Sequence, residues 1–455
     1  MNKNKVISKI KFPKIFLLAL FLIPYDSIPH IMPSIYRPIT AYAYVILMVF
    51  MIFIQKKFFL NRNVLSVIVF FVFASIYGVL RYALKYGEIS EPIKELIPVL
   101  IGFSICFGTY WILQIYVNKY NPENVYRALI EKIGIFFIFP IIIALLDMCV
   151  VYLGFPHVIK TVIQALFGGF QETRLTAFTY EASWLAKHML FITPVYFYLI
   201  KATGKRLYKL LFLFSVIIFL ATLSLKGIIL LIIAISLFLL VKSYWDNSFL
   251  LFIKRLAMGI GLILLLLGIF SLLVNFLAPN TYMAYRLQNI QSFQQFVLSG
   301  GSNFIRIGSM EINLIQFFQS YFLGDGFGSG TKEFPLIIYK YFPQTIAFKE
   351  VSAYISSMNF PGGPLFTRIF SELGIIGVSL FYCSIISCLK KTKKLKSMKQ
   401  SGIVLFWICS MLAMGVQDSY SSVYFWFSVG IMLSVTTITE RINNDKKNPI
   451  YSSIS

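Results

Sequence analysis

Charge is scarce in this chain, acids are scarcer, and side chains that bind metals are almost missing. Only 13% of its 455 residues are charged, with 18 Asp or Glu, three His and five Cys. The cysteines (Cys106, Cys149, Cys383, Cys388 and Cys409) all fall in apolar stretches. That excludes a disulfide framework of the secreted type and offers no ligand spacing for a structural metal. His30, His157 and His188 are too scattered to form a metal motif. There is no G-x-x-x-x-G-K-[ST] loop, no properly spaced G-x-G-x-x-G and no D-x-D pair of the kind that holds a metal-bound nucleotide sugar. An ATP-driven pump and a nucleotide-sugar enzyme are thereby disfavoured. Neither a cofactor nor a metal is expected, and a lipid-carried substrate fits.

What the chain has in abundance is apolar length. It is 58% hydrophobic and 17% aromatic, and apolar runs of about 17–25 residues recur throughout, the length that crosses a hydrocarbon layer about 30 Å thick. The pattern predicts one all-α polytopic domain over 1–455 with about 12 transmembrane helices in contact with the lipid bilayer. They are placed at about 15–33, 39–55, 64–81, 96–116, 133–154, 183–200, 208–223, 227–241, 256–277, 364–388, 402–417 and 422–438. Lys3, Lys5, Lys9, Lys11 and Lys14 before the first run resemble a signal peptide, but no small-residue cleavage site follows closely, which predicts an uncleaved first span.

The net charge of +23 points to no nucleic acid, because the excess sits in short clusters beside spans, such as Lys390, Lys391, Lys393, Lys394, Lys396 and Lys399. Seven segments assigned to one side hold 27 of the 41 Lys and Arg in about 90 residues, and the other side holds 14 in about 160. By the positive-inside rule both termini are cytoplasmic, and segments 155–182 and 278–363 are long outer, periplasmic loops of an inner-membrane protein. The second loop is helical. Ile307, Met310, Leu314, Phe317, Phe318 and Tyr321 recur at helical spacing over 304–322, with Arg306, Ser309, Asn313, Gln316 and Ser320 on the other face. A weaker helix is expected at 281–297. Gly324-Asp325-Gly326-Phe327-Gly328-Ser329-Gly330 then breaks the chain.

Arginines on the charge-depleted side are the positive signal: Arg37, Arg81, Arg174, Arg286, Arg306 and Arg368. A guanidinium forks onto phosphate or carboxylate oxygens. It also snorkels to lipid phosphate or pairs with a nearby acid. Three of them in long ordered loops point to a shared anionic ligand. Glu181 opens span 6 in the segment Arg174-Leu-Thr-Ala-Phe-Thr-Tyr180-Glu181-Ala-Ser183. It suits the helix dipole and is equally a candidate general base. Arg368 and Glu372 lie four apart at the start of span 10, as an ion pair or as binding and catalytic groups. Lys226, in the turn Thr222-Leu-Ser224-Leu-Lys226-Gly227, and Asp147 in span 5 are charges that face protein or a water-filled cavity by default. Tyr180 and Asp325 complete the candidate substrate contacts.

Together these pieces resemble the Wzy-type O-antigen polymerase family, within the O-antigen polymerase and ligase superfamily. The carriers are the Arg174–Ser183 segment, the Thr222–Gly227 turn, Arg306 before Gly324-x-Gly326-x-Gly328, and the stretch from Arg368 to Gly377. The resemblance implies a metal-independent membrane glycosyltransferase of class C-like architecture. It would transfer a growing undecaprenyl-pyrophosphate-linked glycan onto an incoming lipid-linked repeat unit, and it admits a chain-length regulator as a partner. The ligase branch carries a His eleven residues before the glycine of its E-L-G motif; here that position is Gly363, which argues against O-antigen ligase. A lipid-linked oligosaccharide flippase is the alternative from another class, disfavoured by scarce mid-membrane charge and the long outer loop.

The charge asymmetry generates a test. A phosphatase reporter fused near Gly300 should be active, because that enzyme matures only outside the cytoplasm; activity only of a cytoplasmic reporter there would reverse the topology.

Overall fold

A computed structural model describes residues 10–25, 39–54, 60–167, 174–247, 304–357 and 362–447, with scattered positions between 251 and 301 and Phe360. The described residues contain helices and no strand. In chain order the helices are α1 (Lys14–Leu22), α2 (Ile39–Ile54), α3 (Arg62–Tyr86), α4 (Ser90–Lys119), α5 (Pro122–Phe136), α6 (Ile138–Leu153), α7 (His157–Phe167), α8 (Ala182–Thr203), α9 (Arg206–Ala221), α10 (Leu225–Asp246), α11 (Ser309–Gln319), α12 (Gly330–Tyr341), α13 (Lys349–Ser357), α14 (Leu365–Lys391), α15 (Ser401–Ala413) and α16 (Val423–Lys447).

Local chemistry sets the boundaries. The Asn61 side chain accepts from the Val64 N–H at 2.8 Å and caps α3, and Gly87, at φ 71°, ends it in the left-handed turn that only glycine adopts cheaply. Asn121 caps α5 ahead of Pro122, whose missing N–H costs nothing at a first helical position. Pro140 cannot donate to the Phe136 carbonyl, and the helix breaks one residue later, at Phe137, dividing α5 from α6.

Among the described residues, five helical stretches are long and apolar enough to cross a membrane: Arg62–Tyr86, Ser90–Lys119, Pro122–Leu153, Leu225–Asp246 and Leu365–Ser397. Shorter apolar helices lie at Ile39–Phe53, His157–Phe167, Ser401–Val416 and Val423–Val435. On α3 the exposed side chains Leu65, Val69, Val72, Ile76, Leu80 and Leu84 recur at three- and four-residue steps. An exposed stripe this apolar faces hydrocarbon rather than water. The chain is therefore a helical membrane protein.

The structure departs from the expected element map in several places. The expected loop 155–182 contains helix α7, and residues expected as a cytoplasmic loop form α5. α1 stops at Leu22, ahead of Pro24. Most of the expected span 256–277, and the whole expected helix 281–297, fall outside the described residues. Segment 304–357, expected in the second outer loop, is a lobe with its own core of Phe304, Ile312, Phe334, Ile337, Ile338 and Val351.

α14 is not one continuous helix. Gly374 has φ 64° and ψ −166° and interrupts it. The glycine-rich turn fills the break: the Asp325 and Gly326 N–H groups donate to the Ser371 and Glu372 carbonyls at 2.8 and 2.9 Å, and the Ile375 N–H donates to Phe322 O at 2.8 Å. A methyl group on Gly374 would fall on the Leu323 carbonyl. Gly374→Ala should therefore cost about 3 kcal/mol or more, from left-handed strain plus displaced hydrogen bonds. Gly87→Ala, with nothing near the added methyl, should cost only about 1 kcal/mol. Thermal denaturation of both variants in detergent checks the order, and equal shifts would refute it.

Candidate functional site

The glycine-rich turn also grips α3. The Phe327 N–H donates to Gly78 O at 2.9 Å, Arg81 Nε donates to Gly324 O at 3.0 Å and the Tyr77 hydroxyl donates to Leu323 O at 2.6 Å. A methyl group on Gly326 would strike the Tyr82 backbone, and one on Gly324 the backbone of the α14 break. Glycine is required here because three backbones meet.

Around this junction lies a set of buried and half-buried charges. Arg368 Nε binds Glu372 Oε1 at 2.9 Å, and its outer nitrogen binds Glu95 Oε2 at 2.7 Å. Its guanidinium rests over the Tyr420 ring, 5.2 Å from the centroid. Glu372 Oε1 also accepts from the Gly328 N–H at 2.9 Å. Lys85 binds Asp325 at 2.8 Å and Glu333 at 2.7 Å, while Gln316 donates to Asp325 Oδ2 at 3.1 Å and to Ser329 Oγ at 2.8 Å. Burial pushes the Asp325 carboxyl above the ordinary Asp range, outweighing Lys85 and Gln316, which pull it down.

A second cluster sits on the loop between α15 and α16. Asp418 binds Lys187 of α8 at 2.8 Å and accepts from the Ser422 hydroxyl at 3.0 Å. Burial works to raise its carboxyl, but the Lys187 and Lys226 charges prevail and hold it below the usual range. The neighbouring residues of the same loop bind other segments. Gln417 donates to the Lys226 carbonyl at 3.3 Å, the Asp418 carbonyl receives the Leu365 N–H at 2.7 Å, and Tyr420 packs edge-on against Phe327. His188 Nδ1 and the Tyr424 hydroxyl pair one turn deeper.

The third cluster anchors the Arg174 segment. Asp147, fully buried, accepts the Thr176 and Ala177 N–H groups at 2.9 and 2.7 Å on Oδ2. On its other side Lys160, 2% exposed, binds Asp147 Oδ1 at 3.1 Å and the Arg174 carbonyl at 2.6 Å.

The candidate residues thus have distinct positions. Glu181 is the residue immediately before α8, half-exposed, and accepts from the Ser183 hydroxyl at 2.9 Å. Tyr180 is half-buried beside Trp184. Arg174 is exposed, and Lys226 is half-buried near Asp418. Arg368, Glu372 and Asp325 are buried and engaged with protein groups. Arg286 lies outside the described residues, and of Arg306 only the backbone, in the π-helical turn Phe304–Gly308, is described. Sequence reasoning missed Lys85, Glu95, Glu333, Asp418 and Tyr420. Asp418 had a signal: it is the lone acid between Glu372 and Glu440. Among the described residues no three His, Cys, Asp or Glu side chains are grouped to hold a metal ion.

The class that fold and site define is a helical membrane protein with a buried polar cluster at one end of its bundle. Compared with protein-family models, with curated proteins and with solved structures, the chain matches none.

The Asp147–Lys160 pair carries a stability prediction. Lys160→Met strands a buried carboxylate and should cost about 3–5 kcal/mol. Adding Asp147→Asn removes that charge and should recover part of the loss. Melting temperatures of the single and double variants test this; a double variant no more stable than Lys160→Met would show the pair is not coupled.

Proposed function

We propose that the chain is a surface-polysaccharide repeat-unit polymerase of the bacterial inner membrane. It joins a growing undecaprenyl-pyrophosphate-linked glycan to an incoming lipid-linked repeat unit on the outer, periplasmic face, in a bundle of about twelve spans with both termini in the cytoplasm. One observation carries the reading. Segments far apart in sequence that bear the family resemblance are tied to one loop: Lys226 through Gln417, α8 through Asp418, and the start of α14 through the Asp418 carbonyl and Tyr420. The glycine-rich turn joins them through Phe327 and Glu372.

The chemistry follows from these groups. The acceptor hydroxyl oxygen attacks the anomeric carbon of the donor glycan, the bond from that carbon to the pyrophosphate oxygen breaks, and the proton of the hydroxyl passes to a base. Glu181 is the base in this reading, since it is half-exposed while Glu372 is 1% exposed and bound to Arg368 and Gly328. Arg174, Lys226 and Arg306 stabilise the leaving pyrophosphate without a metal. Arg368, held by two carboxylates, keeps the site in shape instead of forking onto substrate.

Complementation of a deletion strain tests the proposal on a lipopolysaccharide gel. The wild-type chain should restore a ladder that the deletion reduces to core plus one repeat. Glu181→Gln should abolish the ladder at normal protein level, a loss of about 10²–10⁴ in rate, and Arg174→Lys should shorten it because a point charge does not reproduce the guanidinium fork. Bare core in the deletion strain would point to a ligase or a flippase instead.

A further inference from the structure

Helix α11 is oriented against the usual rule for an amphipathic helix. Its polar residues Ser309, Asn313, Gln316 and Ser320 are buried together with Ile312 and Phe317, while the apolar Leu314, Phe318 and Tyr321 are exposed beside Glu311 and Gln319. The polar face has work inside: Asn313 donates to Gly362 O and Thr367 Oγ1 and accepts from Ser371, and Gln316 holds Asp325 and Ser329. That leaves Leu314, Phe318 and Tyr321 turned outward.

The end of the helix carries the more telling feature. The Phe322 N–H donates to Phe317 O at 3.0 Å and the Tyr321 N–H to Phe318 O at 3.1 Å. This is the double closure that normally places glycine in the left-handed position. Here that position is Tyr321, at φ 53°, and Phe322 follows at φ 66°. Two bulky residues occupy a conformation that glycine adopts freely and they do not. Tyr321 is also 84% exposed and Phe322 47%, next to Phe318 at 60%. The Tyr321 ring is not placed for the core, so its strain is carried for something outside it.

What lies outside is given by the neighbours. The Leu323 carbonyl is held by Tyr77 and the Phe322 carbonyl by the Ile375 N–H, so the segment is fixed against two spans. Ile76 and Leu80 beside it belong to the exposed apolar stripe of α3, and Ile375 and Ile376 are exposed on α14. Ile375 is the third residue of the uncharged run 373–389, which spans about 25 Å at helical rise. The segment therefore stands at the edge of the hydrocarbon layer, where aromatic rings are favoured.

We propose that Phe318, Tyr321, Phe322 and Leu323 form an aromatic knuckle that enters the interfacial layer of the lipid bilayer and anchors the outer lobe to it. This stands apart from the polymerase reading and its test needs no activity. Phe318→Trp and Tyr321→Trp are reconstituted in phosphatidylethanolamine–phosphatidylglycerol vesicles, with wild-type emission subtracted. The added emission should be blue-shifted, shielded from aqueous iodide, and quenched more by lipids brominated near the headgroup than by lipids brominated near the chain terminus. Strong iodide quenching with no effect of brominated lipid would place the knuckle in water and overturn the proposal. Resistance to both quenchers would mean that protein, a second copy or another segment, covers it, and would overturn it equally. Phe318 lies within regular helix, so its variant carries the test if Tyr321→Trp lowers the yield of folded protein.

Discussion

The repair of one broken helix by one glycine-rich turn is the constraint on which the described site depends. Inside an apolar bundle a helix cannot stop without stranding backbone groups, each costing about 1–3 kcal/mol. The break at Gly374 is tolerated because Asp325, Gly326 and Phe322 supply the missing partners from another segment. The same docking brings Asp325 to Lys85 and the Gly328 N–H to Glu372. α3, α14 and the lobe 304–357 are thereby one unit, and the charged side chains inherit their positions from a backbone contact.

Scarcity of acid makes the charge distribution readable. With 18 acids against 41 Lys and Arg, acids placed at one end of the bundle are a selective expense. Asp147, Asp325 and Glu372 are buried there, Asp418 is half-buried, and each holds a particular cation. A buried charge without its partner is strongly destabilising, whereas a buried pair contributes little net stability. Such pairs specify geometry more than they add strength. They fix the Arg174 segment, the start of α14 and the loop before α16 in one arrangement.

Much of the helical architecture was legible because apolar length and turn residues are local signals. The i,i+4 pair of Arg368 and Glu372 was legible for the same reason and is present at 2.9 Å. Its second acid, Glu95, belongs to a distant helix, and no local pattern names a partner brought in by tertiary packing. The break at Gly374 was hidden similarly: a glycine in an apolar run reads as close helix packing, and only the docked turn makes it an interruption. α7 was hidden by Pro156 and by its position in a segment whose charge pattern read as loop.

The orientation of α11 exposes a limit in how amphipathicity is interpreted. Periodicity measures that two faces of a helix differ; the sign, which face is buried, comes from the surroundings. Beside water the apolar face turns inward. Beside lipid the outward face gains nothing from polarity, and the inward face is free to serve whatever must be bonded inside. Here that need is the docked turn, which offers Asp325 and Ser329 to Gln316, and the segment before α14, which offers the Gly362 carbonyl to Asn313. Asn313 and Gln316 are buried beside Ile312 and Phe317 because the junction demands hydrogen bonds, and the rings of Phe318 and Tyr321 are left on the outside. The helix repair and the exposed aromatic knuckle are two results of a single packing decision.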